Sequence, residues 1–175
     1  MNGAIFFSSR YGSTAQYARW IADATGLPAF DVKGAEADPS GYDFLVLGSP
    51  IIYHRLIIHK WVKRNLASIA NRPAILFSVS GAGAGPKLDA WIGHSLPAGL
   101  IADLQHFALR GRQNPNELTW FDRSMLIIGG LMNRDRVAGR EEMQGFDFMD
   151  RSSIEPIVER IRQLQESEVA ASKGP

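Results

Sequence analysis

Short runs of apolar residues alternate along the chain with longer stretches whose apolar residues recur at helical spacing. The runs are typical of buried strands and lie at 4–7, 29–32, 42–48, 73–79 and 105–111. The stretches are typical of amphipathic helices and lie at 15–22, 59–70, 87–94 and 152–165. Because strands and helices take turns, the pattern predicts a doubly wound α/β sheet with parallel strands.

Three loops follow strands of this predicted sheet, at 8–14, 49–58 and 80–87. Ligands of such sheets bind outside the carboxyl ends of the strands. We therefore expect the three loops to meet at one edge and to form a ligand site.

The first loop reads SSRYGST and joins a strand to a helix. Free N–H groups at the helix N-terminus, together with the hydroxyls at positions 8, 9, 13 and 14, suit a phosphate. No lysine follows Gly12, which argues against a Walker A loop and favours a phosphate that is held by neutral donors rather than transferred. The alternative is that Ser13 or Thr14 only caps the helix.

The third loop is rich in glycine, at positions 81, 83 and 85, and could be mistaken for a dinucleotide fingerprint. Pro86 occupies the last glycine position of that fingerprint, and the loop does not open an N-terminal βαβ unit. We expect these glycines instead to let the chain approach a flat ring.

Residues 112–151 are too many for a simple connection between the fifth strand and the last helix, so they form an insertion. Within it, 118–132 is predicted to be a helix with an apolar second half. Such a stripe is more often core, but an exposed hydrophobic patch that contacts a membrane surface stays open. The domain is predicted to span 1–166, with 167–175 as a frayed tail.

Composition and charge narrow the function classes. The chain has 175 residues, no cysteine and four histidines without metal-ligand spacing, which removes disulfides, thiolate nucleophiles and iron–sulfur clusters and makes a metal site unexpected. Residues 51–113 carry eight Lys and Arg against two Asp and Glu. A basic surface of this kind suits binding of anionic lipid or of substrate carboxylates, and the alternative is a charged surface that is only solvated. Nothing indicates nucleic-acid binding. Without a signal peptide or a long apolar run, we expect a cytoplasmic protein.

The motifs resemble those of a known family. Residues 9–14 (SRYGST) are similar to the flavodoxin phosphate loop, and 48–53 (GSPIIY) to the loop that places an aromatic residue beside the flavin. Within that superfamily the chain resembles the menaquinone-dependent protoporphyrinogen oxidases, through the second loop and residues 120–125 (WFDRSM). The resemblance implies a flavodoxin-like five-stranded parallel sheet in the order 2-1-3-4-5, with an inserted segment before the last helix, and FMN as cofactor.

The same resemblance implies which residues contact FMN. It assigns contacts with the phosphate to Ser9, Arg10, Tyr11, Gly12, Ser13 and Thr14. It assigns contacts with the flavin ring to Ser49, Pro50, Ile51, Ile52, Tyr53, Ser80, Gly81, Ala82 and Gly83. Tyr53 is expected to stack on the ring. The alternative is that Tyr53 anchors the helix that follows.

His54 stands where the resembling enzymes have glycine after the aromatic residue. A side chain there should make a backbone rearrangement harder, which favours two-electron over one-electron chemistry. His54 is also the candidate catalytic group, by residue type alone. Candidate substrate-binding residues are Arg55, Trp120 and Arg123. Arg10, Arg55 and Arg123 are candidates for binding substrate carboxylates, the alternative being exposed surface arginines.

The resulting prediction is an FMN-dependent oxidoreductase that passes electrons from a reduced small molecule, such as a porphyrinogen, through FMN to a quinone. One alternative is a one-electron flavodoxin-type carrier for a protein partner, which the basic middle third disfavours. Another is a flavin-free interaction domain of the same fold.

Overall fold

The computed structural model describes residues 1–81, 83–114, 119, 122 and 146–171. Its strands, numbered in chain order, are β1 (Gly3–Phe7), β2 (Ala29–Asp31), β3 (Phe44–Ile52), β4 (Arg55–Leu56), β5 (Ala74–Ser80), β6 (Leu104–Arg110), β7 (Arg112–Gln113) and β8 (Phe146–Asp147). Five of them form a parallel sheet in the order β2-β1-β3-β5-β6, and β4 pairs antiparallel with β3. With the short arm β4 set aside, this is the predicted order 2-1-3-4-5, and the fold prediction is confirmed.

The helices are α1 (Ser13–Thr25), α2 (His59–Arg64), α3 (Leu66–Ile69), α4 (Pro86–Ser95), α5 (Ala98–Ala102) and α6 (Glu155–Ala171), with a 3₁₀ turn at Arg151–Ile154 before α6. Gly26 ends α1 in the left-handed conformation, as the sequence predicts. The single helix predicted over 59–70 is wrong. It divides at Asn65, which leaves helical geometry (φ −103°, ψ 15°) and whose backbone N–H and side-chain amide both donate to the Trp61 carbonyl at 3.0 Å, so the amide competes with the ladder for that acceptor.

The last helix also differs from its prediction at both ends. Asp150, rather than Ser152 or Ser153, caps the turn that opens it, because the Asp150 carboxylate accepts from the Ser152 N–H at 2.9 Å. The helix runs to Ala171, beyond its predicted end at Gln165.

Two apolar clusters lie on opposite faces of the sheet, because successive strand residues point to opposite sides. In β1, Ile5 packs with α1 and α6 on one face, whereas Ala4 and Phe6 pack with α2, α4 and α5 on the other. Both faces are therefore covered, which explains why the strands are continuous apolar runs. Gly48 is required by packing in β3, since a Cβ there would lie 2.2 Å from the Phe77 ring.

Tyr17, on the buried face of α1, joins three parts of the chain. Its side chain is fully buried, and its hydroxyl donates to the Arg110 carbonyl at 2.8 Å at the end of β6. The same oxygen accepts from the Asp150 N–H at 3.2 Å, just before the turn into α6. Tyr17 thus fixes the position of α1 relative to the end of β6 and the start of the last helix.

The two ends of the predicted insertion pair with each other. Arg112 and Gln113 of β7 lie antiparallel to Phe146 and Asp147 of β8. The helix predicted at 118–132 falls outside the described residues, apart from Thr119 and Asp122. In the part of the chain that is described, no helix is both long enough and apolar enough to cross a bilayer.

Candidate functional site

The first loop enters α1 through a glycine in the left-handed region. Gly12 has φ 86° and stands at the N-cap, so the N-cap residue has no side chain to cap the helix, and neither Ser13 nor Thr14 caps it. The Ser13 hydroxyl instead contacts the Arg112 backbone, accepting from its N–H at 3.2 Å. The Ser9 hydroxyl lies 3.4 Å from the Ala15 N–H. Within the described residues, the N-terminus of α1 is therefore capped only at the Ala15 N–H, by a long hydrogen bond from outside the helix.

Thr14 supplies the observation that decides what this loop is for. Its side chain is 1% exposed, and its hydroxyl is the buried side-chain oxygen that lacks a hydrogen-bond partner within the described residues. A buried unsatisfied hydroxyl costs about 1–3 kcal/mol. At the N-terminus of a helix, where N–H groups already favour an anion, such a hydroxyl is suited to bind a phosphate oxygen.

Three cations surround this loop. The Lys33 ammonium donates to the Ser9 carbonyl at 3.1 Å, and the Arg112 guanidinium lies within 4 Å of the site of a Cβ on Gly12. Arg10 belongs to the loop itself. The sequence predicted neutral donors only, because Lys33 and Arg112 arrive from the ends of other strands. Their charges add to the affinity of this edge for an anion.

The second loop is a two-residue hairpin between β3 and β4. The prediction that β3 ends at Ser49 and Pro50 is wrong, because the strand continues through Ile51 and Ile52 and pairs with the returning chain. The Ser49 hydroxyl is fully buried, donating to the Pro50 carbonyl at 3.0 Å and accepting from the Ile58 N–H at 3.3 Å. The hydroxyl of Ser49 thus supports the hairpin.

Tyr53 and His54 form the tip of that hairpin, with φ values of 49° and 61°. Positive φ at both central residues is the arrangement of a type I′ turn, which usually takes asparagine or glycine. The turn presents the Tyr53 side chain, 49% exposed, to the ligand edge. The His54 ring stacks on Trp91 of α4, with centroids 4.9 Å apart and planes at 24°. Arg55, the candidate substrate residue that follows, is exposed.

The third loop meets an aromatic pair that the sequence did not predict. A Cβ on Gly81 would lie 2.7 Å from the Phe146 ring, which stacks on Phe148 at 4.9 Å. The Arg110 guanidinium lies 3.6 Å from the Phe148 centroid and also donates to the Gly81 carbonyl at 3.3 Å. Ser80 lies at the end of β5, where its carbonyl accepts from the Gly111 N–H at 2.9 Å. Gly83 is exposed, and Ala82 lies outside the described residues.

Asp122 brings the first and second loops together. Its carboxylate accepts hydrogen bonds from the hydroxyls of Tyr11 and Tyr53, and from the Thr119 hydroxyl at 2.9 Å. The Arg10 guanidinium lies 2.5 Å from the same carboxylate. Of the predicted substrate residues, Trp120 and Arg123 lie outside the described residues. Asp122 lies between those two residues in the same motif, but it was not among the predicted site residues.

The environment of Asp122 sets the protonation states at this edge. Burial disfavours its charge, but the hydrogen bonds from Tyr11, Tyr53 and Thr119 and the charge of Arg10 outweigh burial and lower the pKa of Asp122. Burial and the hydrogen bond to Asp122 raise the pKa of Tyr53 to about 12. At neutral pH the carboxylate is charged and Tyr53 is a donor.

A family model described as "Flavodoxin domain" matches residues 4–167. The chain belongs to this family. Flavodoxin domains bind FMN, and the N-terminal end of α1 with the orphaned Thr14 hydroxyl fits the FMN phosphate. FMN is therefore the cofactor of this flavodoxin-domain protein.

Solved structures of flavoproteins are similar to the chain at low identity. A flavodoxin from the domain Archaea is 13% identical over 93% of this chain and 99% of its own, with a TM-score of 0.44. The Trp repressor binding protein of Bacillus subtilis is 13% identical over 85% and 100%, with a TM-score of 0.48. An FMN-dependent NADH-azoreductase of Bacillus anthracis, in complex with FMN, is 8% identical over 71% and 93%, with a TM-score of 0.43. Among curated proteins no sequence matches.

Proposed function

We propose that this flavodoxin-domain protein is an FMN-dependent oxidoreductase that passes electrons from a reduced small molecule, with a porphyrinogen as the candidate, to a quinone. The observation that carries the FMN-dependent part is the Thr14 hydroxyl at the N-terminus of α1, which is buried and has no hydrogen-bond partner in the part of the chain that the structure describes. The resemblance to the menaquinone-dependent protoporphyrinogen oxidases supports the choice of substrate and acceptor. Asp122, from the motif that carries this resemblance, contacts both the first and the second loop.

Each loop has a distinct task in this proposal. Thr14 and the N–H groups of the first turn of α1 bind the phosphate, and Tyr53 covers a face of the ring and excludes water. Gly81 has no side chain because the Phe146 ring packs against it, and its backbone is what the third loop offers to the ring edge. The chemistry that bound FMN would supply here is the transfer of two electrons and a proton from the substrate to an acceptor. With a second proton exchanged through solvent, the quinone becomes a hydroquinone as the substrate is oxidised.

The hairpin of the second loop favours an enzyme over a one-electron carrier. Tyr53 and His54 already hold positive φ with bulky side chains, and His54 is stacked on Trp91. A turn fixed in this way resists the backbone rearrangement that a glycine would ease. The basic residues around the site suit an anionic small molecule. A one-electron carrier usually presents an acidic surface to its protein partner instead.

Thr14→Val tests cofactor binding most directly. The change keeps the shape of the side chain and removes the hydroxyl, so FMN affinity should fall about tenfold while the free protein is no less stable. FMN affinity is measured by quenching of flavin fluorescence, and stability by urea denaturation.

Thr25→Val is the matched control at the other end of α1. The Thr25 hydroxyl donates to the Ile21 carbonyl at 2.7 Å, so this variant should lose about 1 kcal/mol of stability and keep its FMN affinity. A purified protein that shows no flavin bands and does not take up added FMN would contradict the proposal. A loaded protein that reduces menadione no faster when a porphyrinogen is supplied would contradict the substrate assignment.

A peripheral membrane contact through 118–132 belongs to the same proposal. Its support is the apolar second half of that segment together with the need to meet a membrane quinone. Flotation with anionic liposomes should carry part of the protein upward. Protein that stays entirely in the lower fraction would remove this part.

A further inference from the structure

The Asp122 carboxylate is held in a way that ordinary surface carboxylates of this protein are not. Asp38 and Asp150 accept from serines two residues further along, Ser40 and Ser152, which is the local pattern of a turn. The Asp122 carboxylate also has one local donor, the Thr119 hydroxyl at 2.9 Å, but its hydrogen bonds from Tyr11 and Tyr53 come from 111 and 69 residues away in sequence. Asp122 is 8% exposed, so these donors enclose it.

The donors around Asp122 match the needs of a carboxylate. One oxygen accepts from Tyr53, and the other accepts from Tyr11 and faces the Arg10 guanidinium at 2.5 Å. Charge-assisted donors of this kind are among the stronger ligands for a carboxylate. Arg10 and Tyr53 remain 39% and 49% exposed, so they stand at the solvent side of the ligand edge.

We propose that Arg10, Tyr11 and Tyr53 form a binding site for a substrate carboxylate, which Asp122 fills in the substrate-free protein. This rests on the proposed function only in taking the ligand to be the substrate. A small molecule with a free carboxylate exchanges with Asp122 and takes over Arg10, Tyr11 and Tyr53, while the Thr119 hydroxyl stays beside Asp122. Asp122 is then an internal competitor, and it keeps Arg10 paired when no substrate is bound.

This site is separate from the phosphate site. Within the described residues the Thr14 hydroxyl has no hydrogen-bond partner, so the Asp122 carboxylate is not bound to it. Its contacts are the side-chain ends of Arg10 and Tyr11, together with Tyr53 from the neighbouring loop. A carboxylate bound here lies between the first and second loops, beside the ring that Tyr53 covers in the proposed function.

The test uses the FMN-loaded full-length protein and two probes that share one ring system. Mesoporphyrin IX carries free carboxylates, and its dimethyl ester carries none. In Asp122→Asn the internal competitor is lost, so affinity for the acid should rise about tenfold while affinity for the ester stays the same. In the double variant with Arg10→Met, the gain for the acid should disappear. Binding is read from porphyrin fluorescence.

Three outcomes would overturn the proposal. Equal gains for acid and ester would mean that the change only opened an apolar surface. An unchanged affinity for the acid would mean that Asp122 does not occupy its site. A loss of FMN affinity in Arg10→Met, without a change for the acid, would assign the arginine to the cofactor phosphate instead.

Variants that leave Asp122 in place keep the proposal testable if Asp122→Asn fails to fold. Tyr53→Phe and Arg10→Met should each weaken binding of the acid and leave the ester unaffected, and equal weakening of both would contradict the site. Because binding is measured without turnover, a protein that binds the acid but never reduces quinone would refute the proposed function and leave this site standing. A protein that turns over but does not distinguish acid from ester would do the reverse.

Discussion

Two arginines at opposite edges of the sheet show how the same side chain serves different ends. Arg72, at the amino edge, donates to the carbonyls of Pro39, Ser40 and Tyr42 at 2.7, 3.1 and 2.6 Å. Arg10, at the carboxyl edge, contacts a carboxylate that belongs to a distant part of the chain. The first arginine is bound to backbone that cannot leave, whereas the second is bound to a group that another carboxylate can replace.

The backbone of the two edges differs in the same sense. Asn71, beside Arg72, has φ 67°, and asparagine is a residue that tolerates this region. At the carboxyl edge the same region is occupied by Tyr53 and His54, for which it is more costly. A cavity of about 670 Å³ lies at the amino edge, but Arg72, which lines it, is already engaged with carbonyls. The proposed functional edge is thus the carboxyl edge, which has strained backbone and an arginine whose partner can be replaced. The amino edge has the cavity but neither of these features.

Arg72→Met should have the largest effect on stability. It leaves three carbonyls without their charged donor, and we expect the free energy of unfolding to fall by about 2–3 kcal/mol. FMN affinity should not change. Urea denaturation and flavin titration measure the two quantities. A loss of FMN affinity without a loss of stability would contradict the assignment of Arg72 to a structural role.

Arg10→Met should show the opposite balance. Arg10 is 39% exposed, and without it the Asp122 carboxylate keeps its hydrogen bonds from Tyr11 and Tyr53, so stability should fall by only about 1 kcal/mol. Affinity for mesoporphyrin IX should fall about tenfold, with the dimethyl ester unaffected. If the stability loss equalled that of Arg72→Met, Arg10 would be a structural residue.

His54→Gly and His54→Ala separate strain from stacking. Both variants lose the contact with Trp91, but only glycine relieves the positive φ, so the glycine variant should be the more stable by about 1 kcal/mol. Asn71→Gly, the control at the other edge, should change stability by a few tenths of a kcal/mol. Equal stabilities for the two His54 variants would show that the hairpin is not strained.

The titration of Tyr53 should give the smallest signal. Its pKa is raised to about 12 in the folded protein, so the neutral form stabilises the fold at pH values below the ordinary tyrosine pKa near 10. That contribution is lost as the pH rises from about 10 towards 12. Tyrosinate absorbance of the wild type minus Tyr53→Phe measures it. In Asp122→Asn the same step should move towards pH 10, and an unmoved step would separate Tyr53 from Asp122.

The sheet and its ligand edge were predictable because they depend on local pattern. Continuous apolar strands, helical periodicity and the Gly12 turn each depend on a few residues that are adjacent in the sequence. The contacts of Lys33, Arg112 and Asp122 were not predictable, because each arrives from a distant segment and depends on the packing of the whole fold. The break at Asn65 was missed for a different reason, since an amide that competes with the helix ladder does not alter the apolar spacing.

Tyr17 gives the cofactor an influence beyond its own contacts. Its hydroxyl joins the helix that begins at the phosphate loop to the end of β6 and to the turn before α6. A ligand that holds the N-terminus of α1 therefore stabilises these segments as one cooperative unit. The strands β7 and β8 lie beside these joints, so loading of the flavin site and the local unfolding of this strand pair are thermodynamically linked.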